Sequence, residues 1–213
     1  MPLFYQQNIN YACKLAIWKI EEEESFFLKK VPLNIQVSHP HKRLQHLAGR
    51  YLLPYLYPDF PFHEILIADT RKPFLKNEEY HFSISHCGQF AAAIVSNELR
   101  VGIDIELQTE RLHRIKHKYL SNKELEFVGS HNKVEQLKLL TIMWSAKEAM
   151  FKWYGSGNVD FDKMMKIEEF NLSIQDSLQA SFYAPEKTVL LQLEYKFLND
   201  LCLAWVINDW LVG

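Results

Sequence analysis

Two stretches of this 213-residue chain carry side chains that can do chemistry together. In Val101-Gly102-Ile103-Asp104-Ile105-Glu106 apolar and acidic residues alternate, as they do in a strand. Ile103 and Ile105 then face a core, and Asp104 and Glu106 point together to the other side. Roughly forty residues on, Trp144-Ser145-Ala146-Lys147-Glu148-Ala149-Met150-Phe151-Lys152 reads as helix, with Glu148 and Lys152 one turn apart on one face. The two stretches can set three carboxylates and one ammonium around a single point. Magnesium takes hard oxygen ligands in octahedral array and leaves positions for water and substrate phosphates. Clustered carboxylates would repel one another in a low-dielectric cleft without such a cation, so the set reads as a phosphate-handling metal site and not as an acid–base pair. Mn2+ would accept the same ligands.

Each piece alone has a plainer reading. Asp104 and Glu106 make an ordinary solvated strand face, and Glu148 with Lys152 an i to i+4 ion pair worth a few tenths of a kcal/mol. His39, His41 and His46 have no zinc-ligand spacing and read as a solvated helix start. Trp144 and Phe151 read as the core side of the long helix, and Lys147 as either a solvent-facing residue or a phosphate contact. Only the combination of blocks favours chemistry.

The elements that must position these residues follow from periodicity. Residues 14–20 suggest a strand and 21–30 a helix. A stronger helix runs from His39 or Pro40 to Leu56, with proline at its start and Pro54 and Pro58 near its end. Residues 64–68, 81–85, 89–96 and 100–106 read as strands, with Gly88 and Asn97 in turns. Helical patterns return over 109–120 and 121–128, the latter opened by a Ser121/Glu124 capping box, and then from Val134 to Tyr154. From Lys166 onward 166–173, 177–184, 188–197 and 201–209 alternate as an antiparallel meander would. Each half therefore passes from helix to strands, and a short echo of Leu47-Ala48-Gly49-Arg50 in Ser145-Ala146-Lys147-Glu148 hints at a duplicated unit.

Composition narrows the setting. Apolar residues make up 48% of the chain, ample for a core, and seven glycines and eight prolines leave no linker-like tract. A net charge of −2 argues against a nucleic-acid or anionic-membrane binder. No apolar run reaches the roughly 20 residues of a membrane helix, and the N-terminal residues lack a signal-peptide pattern, so the expected location is cytoplasmic. Cys13, Cys87 and Cys202 show no metal spacing and fit reduced, packed thiols.

Four blocks in order, Arg71-Lys72-Pro73, Phe82-Ser83-Ile84-Ser85-His86, Gly102 to Glu106 and Trp144 to Lys152, together resemble the motifs of the 4'-phosphopantetheinyl transferases, specifically the double-length, Sfp-type group. Arg71 stands where that family usually has glycine, Ser83 where asparagine is common and Cys87 where a second serine often follows the histidine. The resemblance implies an α+β fold of two similar α/β subdomains related by a pseudo-twofold, each a helix on a mainly antiparallel sheet, here residues 1–100 and 101–213. It implies a monomer with coenzyme A held between the halves, and transfer of its 4'-phosphopantetheine arm to a serine of an apo acyl or peptidyl carrier protein, releasing 3',5'-ADP.

In that frame Asp104, Glu106 and Glu148 would hold Mg2+, which binds the α- and β-phosphates, and Lys152 would stabilise or protonate the departing phosphate. Lys72 and His86 can bind phosphate oxygens, Ser85 can donate a short hydrogen bond, and Arg43 is the candidate for the 3'-phosphate. The base that takes the serine proton is Glu124, Glu148 or a water on the metal; Glu124 is equally readable as the cap partner of Ser121. The basic run Arg111 to Lys118 is a candidate dock for an acidic carrier protein, against its ordinary reading as a wet helix face. Two rivals stand beside this: a metal-dependent nuclease or phosphodiesterase, against which the absence of basic charge counts, and a carrier-protein-binding module without turnover.

Overall fold

The computed structural model describes residues 2–32 and 37–209, and the chain divides into two compact units, Met1–Val101 and Gly102–Gly213. The architecture is α+β, with one long helix laid on an antiparallel sheet in each unit.

In the N-terminal unit β1 (Leu3–Asn8), β2 (Cys13–Lys19), α1 (Glu24–Leu28) and α2 (Pro40–Leu56) come first. They are followed by β3 (Ile65–Ile67), β4 (Pro73–Leu75), β5 (His81–Cys87) and β6 (Phe90–Ser96). Four strands form a sheet in the order β1-β2-β6-β5, while β3 and β4 pair as a separate hairpin. Alternation along β6 turns Ala91, Ala93 and Val95 toward the core that Leu47, Leu52 and Leu53 of α2 fill from the other side. The helix can lie close because Gly49 has no Cβ; one built there would sit 2.5 Å from the Ile84 Cγ2 of β5. Two expectations change. β1 was not visible in the periodicity, and the helix expected over 21–30 contracts to five residues, its apolar anchor being Phe27.

The C-terminal sheet has the order β7-β11-β10-β9-β8. Its elements are β7 (Arg100–Leu107), which starts at the unit boundary, α3 (Arg111–Ile115), α4 (Asn122–Gly129), α5 (Lys133–Tyr154) and α6 (Phe161–Met164). The strands β8 (Met165–Ile167), β9 (Gln175–Tyr183), β10 (Thr188–Leu198) and β11 (Leu201–Asn208) complete it. On β10, Val189, Leu191, Leu193 and Tyr195 are buried while Leu190 between them is 75% exposed, the alternation of a one-sided sheet. α5 starts on a reciprocal Asn132/Glu135 capping box and stops at Gly155, whose φ of 76° is the left-handed conformation that glycine accepts. The strand expected over 166–173 is only three residues long, and α6 precedes it where no helix was expected. Among the described residues no helix is long and apolar enough to cross a membrane.

Candidate active site

The acidic cluster is built on β7 and α5. A Cβ on Gly102 would fall 2.0 Å from the carbonyl oxygen of Ala149 and 2.8 Å from the Trp153 nitrogen, so only glycine lets this strand meet the helix backbone. Two residues along, on the same face, Asp104 is 5% exposed and its Oδ1 accepts from Lys152 Nζ at 2.7 Å. Ile103 and Ile105, on the opposite face, are buried. Glu148, one helical turn before Lys152, is driven up to about 7, first by burial and then by the Asp104 carboxylate; Lys152 opposes this and Glu106 adds to it. Asp104, Glu106, Glu148 and Lys152 thus feel one another's charge, although they come from two stretches of sequence.

This donor set fits a hard divalent cation in kind, since all its acids offer carboxylate oxygens and the repulsion seen at Glu148 is what a cation would relieve. As the side chains stand, no three His, Cys, Asp or Glu residues among those described are gathered closely enough to hold a metal, and Asp104 is engaged by Lys152 instead.

The N-terminal unit gathers cations. The β5–β6 turn carries Gly88 at a φ of 54°, and its carbonyl accepts from Gln45 Nε2 at 2.8 Å and meets His41 Nε2 at 2.9 Å. These contacts latch the first turns of α2 to the end of β5, where His86 is exposed. Arg50 donates to His46 Nδ1 at 3.0 Å; burial, then Arg50 and His86, hold His46 down at about 4. His46 is therefore not the solvated residue expected from its place near a helix start. Burial also lowers Arg50.

The remaining expected phosphate ligands do not all join this cluster. By alternation along β5, His86 shares the face of Phe82 and Ile84, which packs on the α2 side, and Ser85 lies on the opposite face, 4% exposed. The two side chains cannot grip one phosphate together. Arg43 is tied to Glu24, with its Nε at 2.8 Å and a terminal nitrogen at 2.6 Å from the same carboxylate oxygen. Lys72 borders a small cavity of about 50 Å³ with Tyr80, Phe82 and Arg100, and burial together with Arg100 lowers it to about 8.

Of the two readings open for Glu124, the structure shows the cap. Its Oε2 accepts from the Ser121 N–H at 2.7 Å, the Ser121 hydroxyl at 2.8 Å and Lys147 Nζ at 2.8 Å, and its Oε1 from the Ile167 N–H at 2.9 Å. Oε2 thus takes three donors and Oε1 one. Lys147 departs from both of its readings: neither solvated nor directed at a ligand, it is fully buried. A signal for this was present in the sequence, because Lys147 lies four residues after Met143 and three before Met150, on the buried stripe of α5.

The sequence from 100 to 206 matches the family model described as the 4'-phosphopantetheinyl transferase superfamily. The chain belongs to that superfamily. It is 31% identical over 130 residues to the 4'-phosphopantetheinyl transferase AcpT of Escherichia coli K12, covering 58% of this chain and 64% of that protein. Enterobactin synthase component D of the same strain is 33% identical over 129 residues, 57% of this chain and 60% of that one. The L-aminoadipate-semialdehyde dehydrogenase-phosphopantetheinyl transferase of Rattus norvegicus is 34% identical over 118 residues, 51% of this chain and 36% of its own. The chain thus spans about three-fifths of the length of the two bacterial relatives. The matched region holds the whole acidic cluster, Asp104, Glu106, Glu148 and Lys152.

Proposed function

We propose that the protein transfers the 4'-phosphopantetheine arm of coenzyme A to a serine of an apo acyl or peptidyl carrier protein. The observation that carries this reading is the convergence of Asp104 and Lys152, at 2.7 Å, with a half-buried Glu148 whose carboxyl is raised to about 7 by burial and then by Asp104. In the reaction the serine oxygen bonds to the phosphorus that carries the pantetheine arm, the bond from that phosphorus to the oxygen bridging the two phosphates breaks, and 3',5'-ADP leaves. Asp104, Glu106 and Glu148 are the residues proposed to hold Mg2+ or Mn2+, which when bound would neutralise the pyrophosphate charge. Lys152 lies within reach of the same point and would stabilise the oxygen that the departing nucleotide takes with it. Glu148 is also proposed as an acceptor of the serine proton. His86 with the neighbouring His46 and Arg50, and also Lys72 and Arg43, are proposed to bind phosphates of coenzyme A; Arg43 must exchange Glu24 for them.

The test is to incubate the protein with coenzyme A, Mg2+ and several apo carrier proteins, and to look by mass spectrometry for addition of one phosphopantetheine arm. Glu148→Ala should lower that addition by about a hundredfold or more; an unchanged rate removes the assignment. Arg111, Arg114, His117 and Lys118 are exposed and suit an acidic carrier surface. In the same assay, reversing the charge of Arg114 and Lys118 should raise KM for the carrier and leave that for coenzyme A alone, and equal effects on both would defeat the docking role.

A further inference from the structure

Lys147 is the residue before Glu148 and is 0% exposed. Its ammonium has three N–H groups, and all are used: Nζ donates to Glu124 Oε2 at 2.8 Å, to the Tyr119 carbonyl at 2.7 Å and to the Met165 carbonyl at 2.8 Å, with the Phe161 carbonyl at 3.3 Å. Glu124 is used as fully, by Ser121, Lys147 and Ile167. One buried ion pair therefore ties α5 to the chain before α4, to the first turn of α4 and to the junction of α6 with β8.

Taking two charges out of water costs several kcal/mol per ion, and a buried pair is commonly no more stable than apolar residues of the same volume. What it adds is direction. The core stripe of α5 around this point is Met143, Ala146, Ala149 and Met150, small or flexible side chains that resist rotation or sliding of the helix weakly. A rotation by one residue turns a helical side chain by about 100°, enough to carry Glu148 away from β7. Hydrogen bonds from one ammonium to three fixed acceptors allow a single setting.

We infer that the buried Lys147–Glu124 pair positions Glu148, fixing the rotation and register of α5 so that Glu148 and Lys152 meet Asp104, with Glu124 acting through Lys147 and not on the substrate. The inference rests on the proposed transferase reading but can fail separately from it. The apolar double variant Lys147→Met/Glu124→Leu removes both charges and the directional bonds together, and it should melt within a few degrees of the wild type. It should nevertheless bind Mn2+, followed by electron paramagnetic resonance in a direct titration, about tenfold more weakly. Its kcat should fall by a similar factor, with KM for the carrier and the shape of the pH profile unchanged. Wild-type Mn2+ affinity in a stable double variant would overturn the inference and leave the pair a merely structural one.

If the double variant does not fold, the isosteric Glu124→Gln decides by the same titration: weakened Mn2+ binding supports positioning. Unaltered binding with loss of the acid-side limb of the pH profile would give Glu124 the role of base, and unaltered binding with an unaltered profile would also overturn the inference. Wild-type protein that binds Mn2+ but modifies no carrier would count against the transferase reading and leave this inference standing.

Discussion

The two units solve one packing problem alike and set different charges near it. In each, a long helix crosses an antiparallel sheet at a point where a glycine admits close approach, Gly49 of α2 against Ile84 of β5 and Gly102 of β7 against Ala149 of α5. The N-terminal unit holds His46, Arg50 and Lys72, all shifted by burial toward their neutral forms. The C-terminal unit holds Glu148, shifted by burial toward its own neutral form. In the short echo between the helices, Arg50 occupies the place of Glu148. Desolvated cations gain from an anion and desolvated carboxylates from a cation, so the two helix–sheet contacts favour opposite counterions.

The glycines give the largest test of the parallel. At Gly102 the obstructing atoms are the Ala149 carbonyl and the Trp153 nitrogen, backbone that cannot yield without displacing α5. Gly102→Ala should therefore cost about 3 kcal/mol and weaken Mn2+ binding as Glu148 moves off Asp104. At Gly49 the obstacle is the Cγ2 of one isoleucine, and alanine gains about 1 kcal/mol in helix propensity, so Gly49→Ala should cost about 1 kcal/mol or less. Denaturant titration of both variants measures the gap, and equal losses would break the contrast between backbone and side-chain contact.

The charges give the next. In metal-free protein Glu148 holds its proton up to about pH 7, against 4.5 in an unfolded chain, so the folded state binds more protons and stability falls as pH rises through that window. His46 does the reverse: held at about 4 against 6.5, it makes the unfolded state bind more protons, and stability falls as pH drops from 6.5 toward 4. The two slopes oppose each other where the windows overlap. Glu148→Gln should leave the His46 slope exposed, and His46→Gln the Glu148 slope. Each is at most about 1.4 kcal/mol per pH unit, the His46 slope being the smaller because water screens its more open site. Unfolding free energies measured in EDTA at several pH values should differ from wild type with opposite signs of slope; parallel curves would mean that burial does not set the two units apart.

How far the sequence could be read depended on whether position along one element was enough. Asp104 and Glu106 were assigned to one face by the period of a strand, and Glu148 and Lys152 to one face by the turn of a helix. The contact between those faces carried no local signal beyond Gly102. Lys147 was misread because its pairing with Glu124 spans 23 positions, and a wet helix face was a satisfactory local story for it; the cap read for Glu124 is present. Ser85 and His86 were adjacent letters, and adjacency in a strand means opposite faces. β1 was missed because LFYQQN lacks a clear alternation, and its place is set by pairing with β2.

Arg71 joins the two kinds of legibility in the smallest of these tests. It stands where the resembling family usually has glycine, and here it adopts a φ of 64°, in the connection between β3 and β4 and directly before Lys72. That left-handed conformation costs an L-residue with a Cβ about 1 kcal/mol and glycine almost nothing, while glycine adds entropy to the unfolded chain. Arg71→Gly should therefore change stability by less than about 1 kcal/mol, with the relieved strain and the gained entropy offsetting each other. The loop bonds from the Ala68 N–H to the Lys72 carbonyl at 2.9 Å and from the Arg71 N–H to the Ala68 carbonyl at 2.8 Å are backbone bonds and should survive the change. If Lys72 is held by the turn alone, coenzyme A binding by calorimetry stays as it was. A loss of affinity larger than about threefold, roughly 0.7 kcal/mol, would instead show that the Arg71 side chain itself contributes to binding coenzyme A.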